Sequence, residues 1–427
     1  MKTYKYPSPT EWQSLLKRPV KSIEAIEKDV LPVLEAVKAN GDNALRDFTE
    51  KFDKVKLNSF KVSETEIEQS ASLVSPELKQ AIAQAYDNIY KFHFSQKQAV
   101  EEIETMPGVK CWRRSVPISH VGFYIPGGTA PLFSTVLMLA IPAKIAGCKN
   151  IVLCTPPDLS GKINPAILYT AHYCGVTQIY KVGGSQAIAA LAYGTETVPQ
   201  VHKIFGPGNQ YVMAAKQLVN KSGVAIDMPA GPSEVAVIAD NNANPSFVAA
   251  DLLSQAEHGP DSQVVLISND EKLIEKVIKE TENQLKLLPR SETASLALNN
   301  SKAILVHTLD EAMEISNAYA PEHLILATEN ANELAEKVVN AGSVFLGNFT
   351  PEAAGDYASG TNHTLPTNGY ATAYSGVSLD SFFKKITFQY ISEKGIKNVG
   401  PIVEIMAENE QLQAHKYAVT VRLESLK

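Results

Sequence analysis

From about residue 150 onward, short apolar runs rich in Val and Ile alternate with stretches of helical periodicity. Residues 151–154 read as a strand stopped by Pro156-Pro157, because proline cannot donate to a ladder. Residues 165–174 read as a helix ended by Gly175. Residues 178–182 form the next strand, followed by Gly183-Gly184 and a helix over 185–193. A short strand at 203–205, the turn Gly206-Pro207-Gly208 and a helix over 209–219 repeat the unit. This β-α-β-α-β-α order predicts a mostly parallel sheet covered by helices.

The pattern restarts after Gly231-Pro232. Residues 234–239, 263–267, 303–306, 324–327 and 343–346 read as strands, with helices over 271–288, 309–319 and 331–340 between them. Asn244 caps a helix over 245–258, with Gly259 just past its end. The result is a second α/β unit of similar build, with no repeat visible residue by residue. The first ~100 residues are mainly helical, with amphipathic periods over 23–39 and 76–94. Residues 350–377 form a long loop rich in Gly, Thr, Ser, Asn and Tyr; a loop of that length in a compact domain points to function when it holds Asp356 and His363. The last ~50 residues give a strand over 386–391 and then a helix-rich tail.

Composition narrows the class. The chain has 427 residues, 44% apolar and 20% charged, which is ordinary for a folded protein of two or three domains. Lys plus Arg total 39 against 46 Asp plus Glu, a net charge of −7, without the basic clusters that phosphate backbones require, so no nucleic-acid partner is expected. The longest apolar stretch, residues 135–143, is too short to span a bilayer, and the N-terminus has no apolar secretory core, so a cytoplasmic protein without membrane contact is expected. The four cysteines, Cys111, Cys148, Cys154 and Cys174, lack C-x-x-C spacing. That argues against a disulfide framework and a thiolate metal cluster, so a metal here must be held by His, carboxylate or amide groups.

Several constellations can supply such groups, and each has a plainer reading. Gln255 and His258 are three residues apart on one helical face, a common way to offer two metal ligands; His258 can equally be a helix C-terminal cation. Glu322-His323 sits just before a strand and can act as a pair of general bases, or be a surface pair. Asp356, flanked by Gly355, can reach a ligand or simply make an Asx turn. Glu410 and His415 lie five apart, about 140° round a helix, so they do not share one face. Glycine turns at 124–128, 182–186 and 205–209 suit phosphates at helix N-termini, or are tight strand-to-helix turns; none fits G-x-G-x-x-G. The cysteines read as packing residues rather than as a catalytic thiolate.

Longer blocks join these fragments. The run 226–235 (IDMPAGPSEV), continuing through ADLLSQAEH at 250–258, resembles the signature of the L-histidinol dehydrogenase family. So do VGFYIPGGTAPLFSTVLML (121–139), FGPGN (205–209), YAPEHLIL (319–326), GDYASGTNHTLPT (355–367) and AHKYAVTVRLESL (414–426). The resemblance runs in order over nearly the whole chain. It implies a zinc-dependent, four-electron oxidation of L-histidinol through L-histidinal to L-histidine, with reduction of two NAD+, as the final step of L-histidine biosynthesis. It further implies an intertwined homodimer with one zinc per subunit.

The fold so implied is α/β: two incomplete, aldehyde-dehydrogenase-like Rossmann units with helical extensions at both ends. The expected parts are a helical N-terminal part (1–110) packed with the second unit, a first unit (111–229), a second unit (230–377) and a dimer-exchanged tail (378–427). Carried over residue by residue, the zinc ligands are Gln255, His258, Asp356 and His415, and the general bases Glu322 and His323. Substrate contacts fall on Ser233, Gln255, His258, His323, Asp356, Glu410 and His415, with His363 nearby. NAD contacts fall on Tyr124, Gln186 and Asn209. Tail residues reaching a partner's site would remove the spacing objection to Glu410 and His415. Two other readings remain: a thiol-dependent aldehyde dehydrogenase and a zinc-binding regulatory module without catalysis.

Overall fold

The strand–helix alternation folds into two parallel sheets in a computed structural model that describes residues 1–19, 23–127 and 130–427. Among the described residues, the first sheet runs Gln178–Lys181, Asn150–Thr155, His120–Tyr124, Lys203–Phe205, Ala225–Ile226 in spatial order, all parallel. The chain moves outward from His120–Tyr124 to one edge, then crosses back to Lys203–Phe205 on its other side. Loops leaving the carboxyl ends of those two strands therefore diverge and open a crevice.

The second sheet repeats that order: Lys302–Leu305, Gln263–Ser268, Glu234–Ala239, His323–Ala327, Ser343–Leu346, with the N-terminal strand Lys2–Lys5 added beyond Lys302–Leu305. Its pairs are likewise parallel. Strands Glu234–Ala239 and Gln263–Ser268 are buried along their whole length, which is why they read as continuous apolar runs rather than alternating ones. The apolar stretch 135–143 lies in helix Phe133–Ala146, which is buried nearly all round, as a core helix must be. No helix among the described residues is long and apolar enough to cross a membrane.

Four expectations change. Most of the N-terminal part packs on the first sheet's helices, not on the second unit. Helix Ile23–Phe48 lies on Gly184–Tyr193 and Gln210–Lys221, helix Glu64–Leu73 on Pro165–Tyr173, and helix Pro76–Phe94 on Phe133–Ala146. The stripe Ile26, Val30, Leu34 and Val37 shares one core with Ala190, Leu191 and Val212. Helix Gly184–Tyr193 is rich in small alanines and buried over Ser185–Ala192, so the helix packed on it completes that core. Among the described residues, strand Lys2–Lys5, Leu15–Leu16 and Arg18 are on the second sheet's side.

Second, the first α/β unit begins at His120, not at 111. Strand Val109–Pro117 pairs antiparallel with Phe383–Ile391 and with Glu102–Met106 instead. Residues 96–118 and 382–427 thus form a compact unit of their own, in which helices Glu393–Asn409 and Gln413–Glu424 pack together; both parallel sheets belong to the other unit. Third, the stretch 350–377 is not all loop: Pro351 leads into helix Glu352–Tyr357. Fourth, helix Pro245–Ala256 stops before His258, leaving Gln255 in its last turn and His258 in the turn beyond.

Candidate active site

The chemistry collects at the amino ends of two adjacent strands of the second sheet. Glu322 and His323 lead into strand His323–Ala327, whose neighbour is Glu234–Ala239. Glu234 holds both of them with its main chain. Its N–H donates to Glu322 Oε2 at 2.9 Å, and its carbonyl lies 3.1 Å from His323 Nδ1. A carbonyl only accepts, so Nδ1 carries a proton and donates. His323 Nε2 is thereby turned toward Asp356 Oδ1, 3.4 Å away, while Glu322 Oε2 stands 3.6 Å from Nδ1.

The electrostatics follow from burial and crowding. Burial pushes the Glu322 carboxyl up to about 8. Burial also opposes charge on His323, but the Glu322 and Asp356 carboxylates outweigh it and raise the imidazole to about 10. Burial pushes Asp356 upward too, yet His323 and His363 hold it well below the usual carboxylate range. His258 is exposed to the cleft, although enough protein surrounds its ring that desolvation lowers its proton affinity and favours the neutral, ligating form. His363 Nδ1 donates to the Asp356 carbonyl at 2.8 Å, which leaves Nε2 of the neutral ring to accept from Thr135 Oγ1 at 3.0 Å.

Glu352 joins this group without having been expected. It is 1% exposed, accepts from Ser254 Oγ at 2.7 Å, and burial raises it to about 7. Ligand atoms of His323, Glu352 and Asp356 lie within 4.8 Å of one another. Its signal was its spacing, four residues before Asp356, which is one helical face once 352–357 is read as a helix. Three buried atoms here have no hydrogen-bond partner: Gln255 Oε1, His323 Nε2 and Asp356 Oδ1. Orphaned buried donors and acceptors of this kind call for a ligand or ion. Neutral imidazole, amide and carboxylate groups without thiolate form a donor set suited to zinc. Ser233, His258, Glu322 and His363 line a cleft of about 260 Å³ that extends to Asn209 at the carboxyl edge of the first sheet. Glu410 and His415 are exposed members of the other unit.

A larger cavity, of about 1380 Å³, opens at the first sheet's crevice and is lined by Tyr124, Gln186 and Asn209 together. Tyr124 ends its strand and its hydroxyl accepts from the Gly184 N–H at 3.1 Å. Gln186 is 1% exposed, and both atoms of its amide lack a partner. Asn209 caps helix Gln210–Lys221 by accepting from the Tyr211 and Val212 amides. Gly206 must be glycine: its φ is +122°, and a Cβ there would lie 2.1 Å from the Tyr124 carbonyl oxygen. The buried Lys216–Asp227 pair fixes this loop, Lys216 donating to the Gly206 carbonyl and Asp227 accepting from its N–H. Of the turn 124–128, Gly128 lies outside the described residues. Convergent polar groups and strand-end glycines at a switch point fit a dinucleotide.

Asp53 also lines this cavity, with Oδ2 buried and unpartnered, and burial pushes its carboxyl up to about 6. The fold therefore binds this proton more tightly than the unfolded chain does. The stability so contributed is complete below about pH 4 and lost as pH rises through about 6. Asp53→Asn is expected to raise the melting temperature at pH 8 and to change it little at pH 4. An equal shift at both pH values, followed by circular dichroism, would contradict this.

Cys154 and Cys174 offer no comparable site. Cys154 is fully buried in its strand and Cys174 nearly so; burial pushes the Cys154 thiol far up and Cys174 to about 12. Neutral thiols are poor nucleophiles.

Known proteins resemble this chain over almost its whole length. The family model described as "Histidinol dehydrogenase" matches residues 16–423. A histidinol dehydrogenase of Bacteroides thetaiotaomicron is 62% identical over 427 residues, covering 100% of both chains. That of Escherichia coli K12 is 53% identical over 418 residues, 97% of this chain and 95% of its own. The crystal structure of histidinol dehydrogenase from Elizabethkingia anophelis superposes with a TM-score of 0.97 at 60% identity, covering 100% of this chain and 98% of that one. An acetylating aldehyde dehydrogenase from Geobacillus thermoglucosidasius shares the fold at a TM-score of 0.50 and 16% identity, covering 87% of this chain and 99% of that one. Family model, relatives and fold converge: the chain belongs to the histidinol dehydrogenase family of oxidoreductases.

Proposed function

We propose that the protein oxidises L-histidinol through L-histidinal to L-histidine, reducing two NAD+, as the last step of L-histidine biosynthesis in the cytoplasm. The observation that carries this reading is the buried pair Glu322–His323, both gripped by the main chain of Glu234, with His323 Nε2 turned into the cluster of unpartnered ligand atoms. Family membership supplies the substrate.

Gln255, His258 and Asp356 would hold zinc, together with His415 from the tail of a second copy in a homodimer. Bound zinc supplies a Lewis acid that orients the substrate through its amine and imidazole nitrogens. Ser233 and Glu410 complete the substrate's polar contacts in this reading. The cavity bounded by Tyr124, Gln186 and Asn209 would hold NAD+, the hydride acceptor. A cation held by Asp356 would offset part of the negative charge that raises the proton affinity of His323. The neutral imidazole then takes the hydroxyl proton at Nε2. Glu322, with a proton affinity near neutrality, takes the second proton from the water that hydrates the aldehyde. Two bases serve because the two oxidations release different protons. A cleft of about 260 Å³ leaves little room for bulk water and helps retain the reactive aldehyde.

The direct test is NADH formation from L-histidinol compared with L-leucinol, an amino alcohol without imidazole. We expect at least about 10²-fold preference for L-histidinol, since a site built around polar groups rejects analogues that leave them unpaired. Comparable turnover of both alcohols would overturn the assignment.

A further inference from the structure

Arg18 lies just beyond helix Pro9–Leu15, far in sequence from the candidate bases, and its side chain is 12% exposed. Its Nε donates to Glu234 Oε1 at 2.5 Å and its Nη2 to Oε2 at 2.9 Å, a two-pronged grip on a buried carboxylate. The same Nη2 reaches the Tyr319 carbonyl at 2.6 Å, and the guanidinium stacks 4.0 Å over the Tyr319 ring. Glu234 Oε1 also accepts from the Asn368 N–H at 2.8 Å, which ties in the loop after His363.

The two anchored residues begin the two segments that meet at the site. Tyr319 ends helix Leu309–Tyr319 and is followed at once by Ala320, whose φ of +51° is a left-handed conformation that side chains disfavour. That turn delivers Glu322 and His323. Glu234 opens the neighbouring strand, and its N–H and carbonyl hold Glu322 Oε2 and His323 Nδ1. We propose that Arg18 is a positioning residue for the Glu322–His323 pair: by clamping the Glu234 side chain to the Tyr319 carbonyl, it fixes the spacing between the two segments and so aims both bases. A planar guanidinium serves both anchors and stacks on the ring at once, whereas an ammonium cannot reproduce the fork. The inference rests on the proposed reading of Glu322 and His323 as bases.

The test compares wild type with Arg18→Lys and Glu234→Gln, purified as holoenzyme with L-histidinol and NAD+. The Gln variant keeps the main-chain grip and the Asn368 contact, so it carries the test should the Lys variant fail to fold. A displacement of the bases is expected to lower kcat about 10- to 100-fold. KM for both substrates and zinc per subunit are expected to stay within about twofold to threefold of wild type. The primary isotope effect with histidinol deuterated at the carbinol carbon is expected to rise, because the chemical step becomes limiting. A lower melting temperature with unchanged kcat and isotope effect, in both variants, would make Arg18 a structural strut only and overturn the proposal. Wild-type protein that forms no NADH from L-histidinol would instead overturn the parent reading, and this inference with it.

Discussion

Replacing His323 by Asn is expected to lower NADH formation from L-histidinol by about 10²- to 10⁴-fold, the range a positioned general base contributes. The substitution is matched to the geometry. An Asn amide can still donate toward the Glu234 carbonyl that holds Nδ1, so the local fold is largely kept. What disappears is the basic Nε2, which has no hydrogen-bond partner and faces the candidate metal and substrate site. Glu322→Gln is the informative companion. Its amide oxygen can keep the bond from the Glu234 N–H, now 2.9 Å from Glu322 Oε2, while the carboxylate's basicity is lost. It is expected to slow oxidation of L-histidinal more than that of L-histidinol, because only the aldehyde must first be hydrated. Initial rates with each substrate measure the two steps separately, and equal loss on both would contradict the division of labour between the bases.

His258→Asn is expected to strip the protein of zinc and, with it, most of its activity. His258 borders the same cleft as Glu322, and desolvation biases its ring toward the neutral form that binds metals. In the proposed reading the lost ligand would also deprive the substrate of its orienting ion, so the effect is expected on turnover as well as on binding. Metal content after exhaustive dialysis is the check. Zinc retained at the wild-type level would show that the ion is held elsewhere, for instance by the His323–Glu352–Asp356 group alone.

Much of the second sheet was legible because each element carries its own local signal. The strands at 234–239 and 343–346 and the helix at 309–319 lie where the pattern places them. Thr308 caps that helix, accepting from the Glu311 amide. What local pattern cannot carry is the identity of distant partners. The amphipathic stripe of helix Ile23–Phe48 announces burial but not against which sheet. The pairing of Val109–Pro117 with Phe383–Ile391 joins segments some 270 residues apart, as in Lys385↔Ser115, and leaves no trace at short range. Glu352 was hidden because a Gly-rich, polar stretch reads as loop, and only Pro351 ahead of the Glu352…Asp356 spacing marks a helix there. Glu234 escaped for a different reason. It serves the site through its N–H and carbonyl, which every residue possesses, so side-chain chemistry could not single it out.

In the proposed reaction one site carries out two successive oxidations on a retained substrate. The most direct test is the amount of NADH formed per L-histidinol consumed at completion, measured on protein whose zinc content is determined in the same sample. A ratio of two, with L-histidine as the product, is expected. A ratio of one, with L-histidinal accumulating, would contradict it.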